Sequence, residues 1–465
     1  MFQFSIEPQH NPYQKIHFIG IGGTSMSGLA ELMMDKGFQV SGSDREPSKY
    51  TRHLESKGLQ VQYGQSAQNI KDQDLFIYTD AIGPQNPELV AAKSTSHPVI
   101  NRGTFLGALM RNYQHSISVS GAHGKSTTTS MLAEILLAAR QTEPTILIGG
   151  ALDDMGGNCH TGSEEIFLAE GCEYKGNILH YFPSIAIVLN IDLDHLDYYR
   201  DLNHIIETFE QYMENLDEQG SAILNLDDPN SKSLPAHVKG QVKCFSMTKK
   251  EADVHAEEIT YDEYGYPAFT LCFADGSRQR ISLSVLGDFN IYNAMAASLA
   301  ARIAGIPLST IRQGLENYRS LHRRMEEVGR FEGARVLTDY GHHPAEIRAT
   351  LKAMAPHVTG RFYCVFEPHT YSRTRFLMDD FARSFHDCDE VIITKIYGAR
   401  EEDDGSVRSE ELVDKINAHN DRAIYQESYQ DVVNYLHGRV NPEDLILTTG
   451  CGKADVIAEL LVDQG

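Results

Sequence analysis

Gly121, His123, Gly124, Lys125, Ser126 and Thr127 fall in SGAHGKSTTT, where glycines run into a lysine and a row of hydroxyls. Glycines let successive backbone N–H groups turn toward phosphate oxygens, and a helix opening there adds its positive end. The Lys125 ammonium would reach the β- and γ-phosphates, and the Ser126 hydroxyl a divalent cation. Val119 occupies the first glycine position of the longer GxxxxGK[ST] pattern, so the match is to the shorter GxxGKS form.

A bound triphosphate also calls for carboxylates. IFLAEGCEY ends an apolar run in Glu170 and Glu173, and Asn190-Ile-Asp-Leu-Asp-His195 ends the next. In an α/β sheet both ends share the carboxyl edge with the phosphate loop. Glu173 has the chemistry of a hard oxygen ligand. His195 leaves two readings open, an ordinary strand-end histidine or a ligand, because imidazole suits Mn2+ or Zn2+ better than Mg2+.

Near the N-terminus, Gly20-Ile-Gly22-Gly23-Thr-Ser25 approximates GxGxxG with Ser25 in the third glycine's place, and Asp44 ends the following apolar run. The pattern fits NAD, yet a helix N-terminus demands only a pyrophosphate, which a UDP-sugar also carries. Toward the C-terminus, Asp339-Tyr340-Gly-His342-His343-Pro and Glu367-Pro-His369-Thr-Tyr-Ser-Arg373-Thr-Arg375 each follow a short apolar run. Adjacent histidines can be one surface residue and one helix cap. Two polar clusters at neighbouring strand ends favour a binding site.

Positioning these groups takes several cores, and 465 residues suffice for about three domains. IHFIG, FQVSGSD, DLFIYTD and HPVINR are spaced to leave room for helices, a βαβ series ending near Arg111. A second series starts at HSISVSGAHGKSTTT and continues through IFLAE and SIAIVLNID. Residues 246–279, with turns at Tyr264-Gly265 and Asp275-Gly276, predict an antiparallel β insertion. ARVLTDY, RFYCVF, EVIITK, RAIYQ and DLILTTG predict a third, five-stranded doubly wound sheet. The expected fold is α/β in three domains: Rossmann-like at 1–112, a central P-loop ATPase at 113–318, and Rossmann-like at 319–465.

A net charge of −23 argues against a nucleic-acid partner, which needs a basic footprint. Seven scattered cysteines show no CxxC or Cys/His zinc spacing and read as reduced core thiols. MFQFSIEPQHNPYQK lacks the basic and apolar regions of a signal peptide, and no run approaches a membrane span. A cytoplasmic protein with no membrane partner is expected.

The chain resembles the Mur ligase family over almost its whole length. GIGGTSMSGLAEL, VSGSD, SGAHGKSTTT, EGCEY, LNIDLDHLDYY, LGDFNIYNAMAA, HRRMEEVG, DYGHHPAEIRATL and FEPHTYSRTR carry the resemblance in order and spacing. It implies an ATP-dependent, amide-forming ligase that uses ATP and Mg2+ (or Mn2+) and works as a monomer or homodimer. The glycine-rich start, SGSD, DYGHHPAEI and PHTYSRT point to the member joining L-alanine to UDP-N-acetylmuramate in peptidoglycan precursor synthesis. The alternative within the family adds a preformed peptide to the same sugar acid. An NAD-dependent oxidoreductase would leave the phosphate loop and third domain without work.

By motif, the resemblance assigns Gly22, Gly23, Ser27 and Asp44 to the UDP part and Thr79 to the uracil. Gly121 through Thr127 would hold the ATP phosphates, and Asn290 and Asn293 would approach the adenine. Ser126, Glu173 and His195 fall on metal positions. Arg324 would clamp phosphate, completing a catalytic set with Lys125, Glu173 and His195. Tyr340, His342 and Arg373 would address alanine. The chain departs from the family pattern at Phe289, at Ser25 and in TTGCGKAD, and no lysine lies between Lys175 and Lys232 to serve as a carbamylated metal bridge.

Overall fold

Runs rich in Ile, Val and Phe, buried on both faces, form the inner strands of three mainly parallel sheets. The structure is a computed structural model describing residues 2–465 except 153, 154, 196, 197, 263, 264, 400 and 421. The expected turn residue Tyr264 therefore lies outside the described residues.

The first sheet contains β1 (Lys15–Ile19), β2 (Gln39–Asp44), β3 (Val61–Tyr63), β4 (Leu75–Tyr78) and β5 (Val99–Asn101), in the order β3-β2-β1-β4-β5. All neighbours are parallel. The order reverses between β1 and β4, so the loops after these strands open the crevice where α/β sheets bind ligands. Three-residue β3 escapes the sequence reading because its half-exposed Val-Gln-Tyr carries little apolar signal.

The second sheet begins with β6 (His115–Ser120), β7 (Thr145–Leu152), β8 (Gly157–His160), β9 (Ile166–Gly171) and β10 (Ile185–Val188). It continues with β11 (Ser221–Asn225), β12 (Gln241–Ser246), β13 (Val254–Tyr261), β14 (Pro267–Phe273) and β15 (Arg278–Ser282). Its order is β15-β14-β13-β12-β11-β10-β6-β9-β7-β8. The phosphate-loop strand β6 thus lies between β10 and β9, parallel to both.

The third sheet contains β16 (Glu326–Phe331), β17 (Ala334–Asp339), β18 (Phe362–Phe366), β19 (Glu390–Ile393), β20 (Ala423–Tyr425) and β21 (Leu445–Thr449), ordered β16-β17-β21-β18-β19-β20. It has six strands, one more than expected. The addition, β16, is a half-exposed edge strand antiparallel to β17, and its EEVGRF composition disguises it. The ends of β17 and β18 are also not neighbours, because β21 lies between them.

The chain divides into two compact units. One comprises Met1–Glu257, Leu271–Gln279 and Tyr292–Asn317; the other comprises Glu258–Thr270, Arg280–Ile291 and Tyr318–Gly465. In the first, a continuous core takes in Phe18, Phe105, Phe167 and Phe209. In the second, Val336, Val365, Ile446 and Ile457 pack together. Among the described residues, no helix is long and apolar enough to cross a membrane.

Candidate active site

The phosphate loop turns from β6 into the helix Lys125–Ala138, with Gly124 at φ +83° as its N-cap. That left-handed conformation is costly for any residue with a Cβ. Asn190, at the end of β10, holds the loop from the side. Its Oδ1 accepts the His123 N–H at 2.8 Å, its Nδ2 donates to the His123 carbonyl at 3.1 Å, and its own carbonyl accepts the Ala122 N–H at 3.1 Å. The sequence reading saw Asn190 only as the start of NIDLDH. Its clamping role depends on β10 lying beside β6.

Lys125 Nζ lies 3.0 Å from Glu173 Oε1 and donates to the carbonyls of Gly121 and Ala122 at 2.5 and 3.1 Å. Burial opposes the lysine's charge, but Glu173 offsets it and leaves the ammonium pKa raised. Burial likewise opposes ionisation of Glu173, while Lys125 and His195 hold its pKa below the usual carboxylate range. The two groups form a buried ion pair.

His195 Nε2 stands 3.6 Å from Glu173 Oε1, and its ring packs 4.9 Å from that of Tyr174. Ser126 Oγ donates to Glu170 Oε2 at 3.0 Å, and Glu170 Oε1 accepts the Gly149 N–H. Glu173 Oε2 is buried without a hydrogen-bond partner among the described residues. An orphaned carboxylate oxygen beside an imidazole, with the Ser126 hydroxyl on Glu170 of the adjoining strand end, is a donor set a divalent cation would complete. The adjoining cleft is lined by Ala122, Glu173, Asp192, Asp194, His195 and Tyr199.

In the first sheet, Gly20 ends β1 opposite Thr79, so close that a Cβ on Gly20 would come within 2.4 Å of the threonine methyl. Asp44 Oδ2 accepts the Gly22 N–H at 2.7 Å, so this carboxylate shapes the glycine loop itself. Gly23 caps the helix Thr24–Asp35. Ser27 is buried within that helix and donates its hydroxyl to the Thr24 carbonyl at 2.8 Å. Ser25, where a third glycine was expected, has Arg102 Nη1 3.1 Å from its Oγ. Nothing in the sequence pattern had singled out Arg102.

Asn293 Oδ1 accepts the Thr128 hydroxyl at 3.1 Å and packs so near Gly124 that a Cβ there would approach it to 2.7 Å. Beside the adenine role that the resemblance assigns to it, Asn293 buttresses the phosphate loop. Asn290 Nδ2 donates to the Leu286 carbonyl at 2.7 Å. Thr127 is half-buried in the first turn of the phosphate-loop helix.

In the third sheet, Arg323 and Arg324 both lie 5.0 Å from the centre of the Tyr340 ring. Burial pushes the Tyr340 hydroxyl up to about 12. His342 meets Tyr340 edge-on at 5.6 Å and lies 6.2 Å from His369, whose Nδ1 is 3.1 Å from Arg373 Nη1. The two polar clusters therefore meet across the end of β21. His343 is the capping residue of the pair: it forms a capping box with Glu346 on the helix Pro344–Met354. Glu367 opens the second polar motif. It is buried, accepting from the Tyr429 hydroxyl and from the Lys453 N–H at 2.6 Å.

Three family models match the chain in order. The Mur ligase family catalytic domain covers residues 15–114, the Mur ligase middle domain 119–301 and the Mur ligase glutamate ligase domain 323–452. The chain belongs to the Mur ligase family. As a Mur ligase it is an ATP-dependent, amide-forming enzyme with small-molecule substrates, and the oxidoreductase reading of the first glycine loop is set aside. It is 44% identical over 452 residues to the UDP-N-acetylmuramate–L-alanine ligase of Acetivibrio thermocellus, covering 97% of this chain and 96% of that one. The enzyme of the same name from Clostridium novyi is 41% identical, with 97% of each covered. Among solved structures, the UDP-N-acetylmuramate–alanine ligase of Thermotoga maritima superimposes with a TM-score of 0.80 at 26% identity, covering 97% of this chain and 98% of that one. A murein peptide ligase from Psychrobacter arcticus shares the fold, with a TM-score of 0.74, 24% identity, and 97% and 98% of the two chains covered.

Proposed function

We propose that this Mur ligase joins L-alanine to the carboxylate of UDP-N-acetylmuramate, acting in the cytoplasm as a monomer or homodimer. Its domains would be residues 1–112, 113–318 and 319–465. The observation that carries the reading is the phosphate-loop corner, where Lys125 and His195 flank buried Glu173, which has one oxygen unpartnered, and Ser126 bonds to Glu170. The near-full-length match to relatives bearing that name supports alanine over a preformed peptide.

A carboxylate and an amine at neutral pH only exchange a proton. Transfer of the ATP γ-phosphoryl group to the sugar acid makes an acyl phosphate, from which the amine of alanine can displace phosphate. Such a transfer needs charge neutralisation and alignment more than covalent help. Lys125 brings its ammonium to the β- and γ-phosphates, and the N–H groups of 121–127, held by Asn190 and Asn293, fix their direction. Ser126, Glu173 and His195 would hold Mg2+ (or Mn2+), which supplies further charge neutralisation when bound. Arg324 adds positive charge to the same step. Gly22, Gly23 and Asp44 shape the loop for the UDP part, with Thr79 near the uracil and Ser27 supporting the helix behind it. Asn290 is assigned to the adenine end. Tyr340, His342 and Arg373 receive alanine, the guanidinium pairing with its carboxylate.

Product mass spectrometry tests this, with UDP-N-acetylmuramate, ATP and a mixture of free amino acids and tripeptide. The alanyl adduct is expected, and label from an ¹⁸O-carboxylate must appear in released phosphate. A peptide adduct alone would overturn the alanine assignment. Unlabelled phosphate alongside amide product would overturn the acyl phosphate.

A further inference from the structure

Outside the phosphate-loop corner, the central sheet gathers a histidine, a glutamate and a cysteine on two of its strands. His255 and Glu257 sit two apart on β13, so both side chains leave the same face. Cys272 is on β14. One ligand atom from each residue falls within 4.8 Å of the others. His255 Nε2 is 3.5 Å from Glu257 Oε1, and Cys272 Sγ is 3.6 Å from Glu257 Oε2.

These spacings are informative. Ligands at 2.0–2.3 Å from a tetrahedral ion stand about 3.3–3.8 Å from one another, the edge length of that tetrahedron. The separations of both side chains from the carboxylate fall inside the interval. The ring presents Nε2 to the carboxylate, while Nδ1, on its other side, is buried and makes no hydrogen bond among the described residues. Glu258, the next residue after the glutamate, takes a left-handed conformation at φ +54° in the middle of β13. Such a conformation in a residue with a Cβ persists only where its surroundings impose it.

The neighbouring charges are compatible with a cation. Lys250 Nζ and Arg278 Nη2 lie 2.5 and 3.1 Å from the Glu257 oxygens, on side chains half or more exposed and free to swing into water. Thiolate, imidazole and carboxylate together select a borderline-soft ion over Mg2+.

We propose that His255, Glu257 and Cys272 form a structural zinc-class site that ties β13 to β14, separate from the metal that accompanies ATP. Binding exchanges the Cys272 thiol proton, released to solvent, for a sulfur–metal bond, and a solvent molecule completes the tetrahedron.

The test uses the full chain, stripped with chelator and returned to buffer containing excess Mg2+ to saturate the ATP-linked site. Titration with Co2+ should bring up a thiolate-to-cobalt charge-transfer band that saturates at one equivalent and is displaced by Zn2+. Cys272→Ser should abolish the band, His255→Gln should weaken cobalt binding at least about tenfold, and Cys244→Ser should leave it unchanged. Circular dichroism of each variant verifies folding, and His255→Gln decides the matter should Cys272→Ser not fold. No thiolate band in the wild type, or a band undiminished in either cluster variant, would overturn the proposal.

Discussion

At the phosphate loop, the cation Lys125 is paired 3.0 Å from a buried carboxylate. At the edge of the third sheet, Arg373 lies 3.1 Å from an imidazole nitrogen, and Arg323 and Arg324 rest on a tyrosine ring. The first arrangement balances charge inside the fold. The second packs cations against rings, with Arg323 also 3.5 Å from Asp455. The contrast teaches that cations are held in different ways: Lys125 is balanced by a buried acid, whereas Arg373 is held beside an imidazole, so removing each should have a different consequence.

The strongest way to break this comparison is to remove Lys125. Lys125→Ala should cut turnover on the order of 10³-fold, because it deletes charge aimed at the transferred phosphoryl group. It also strands Glu173, which is 4% exposed, and should cost about 3–5 kcal/mol of stability. Adding Glu173→Gln should restore much of the stability and none of the turnover. Denaturant melts with single-turnover kinetics separate the two, and recovery of turnover in the double variant would refute the division of roles. The pH dependence has a definite sign. Glu173's pKa is lowered on folding, so its stabilisation is present above the usual carboxylate range and is lost as pH falls through the depressed value. Lys125's is raised, so its share is present below the usual lysine range and is lost as pH rises through the elevated value.

Arg373→Ala tests the opposite arrangement. It should raise the amino-acid KM about 10–100-fold for alanine, glycine and serine alike, with their ranking preserved, because it removes a charge-assisted bond to a group all three share. The ranking itself should follow the methyl group, with glycine about 10–200-fold poorer than alanine. A KM that does not move, or that moves for alanine alone, would place carboxylate recognition elsewhere.

A smaller effect is expected at Asn190. Asn190→Ala removes two hydrogen bonds to His123 and should raise the ATP KM about 30-fold, at roughly 1 kcal/mol per bond. Asn190→Asp, which keeps the acceptor for the His123 N–H, should recover part of the loss. No change in either variant would mean that the loop holds its shape without this clamp.

The smallest effect belongs to His343. As a helix cap, its replacement by alanine should cost about 1 kcal/mol of stability with kinetic constants nearly unchanged. A large rise in the alanine KM would instead move His343 into the binding cluster with His342.

The amino-acid sequence alone was enough to identify the phosphate loop, the three α/β series and the chemistry at their strand ends. These rest on local physics: glycines beside a lysine at a strand-to-helix turn, and apolar runs long enough to be buried. Tertiary structure decided the rest. Asn190 clamps His123 only because β10 lies against β6, and Asn293 meets Thr128 and Gly124 although 165 residues separate it from Thr128. The Tyr340 and Arg373 clusters meet across β21, a strand that is last in the chain but central in its sheet. His255, Glu257 and Cys272 match no linear zinc pattern and converge only when β13 and β14 are both in place. Side-chain identity reports what a residue can do, but strand order sets which residues it can reach, and strand order depends on contacts far apart in the sequence.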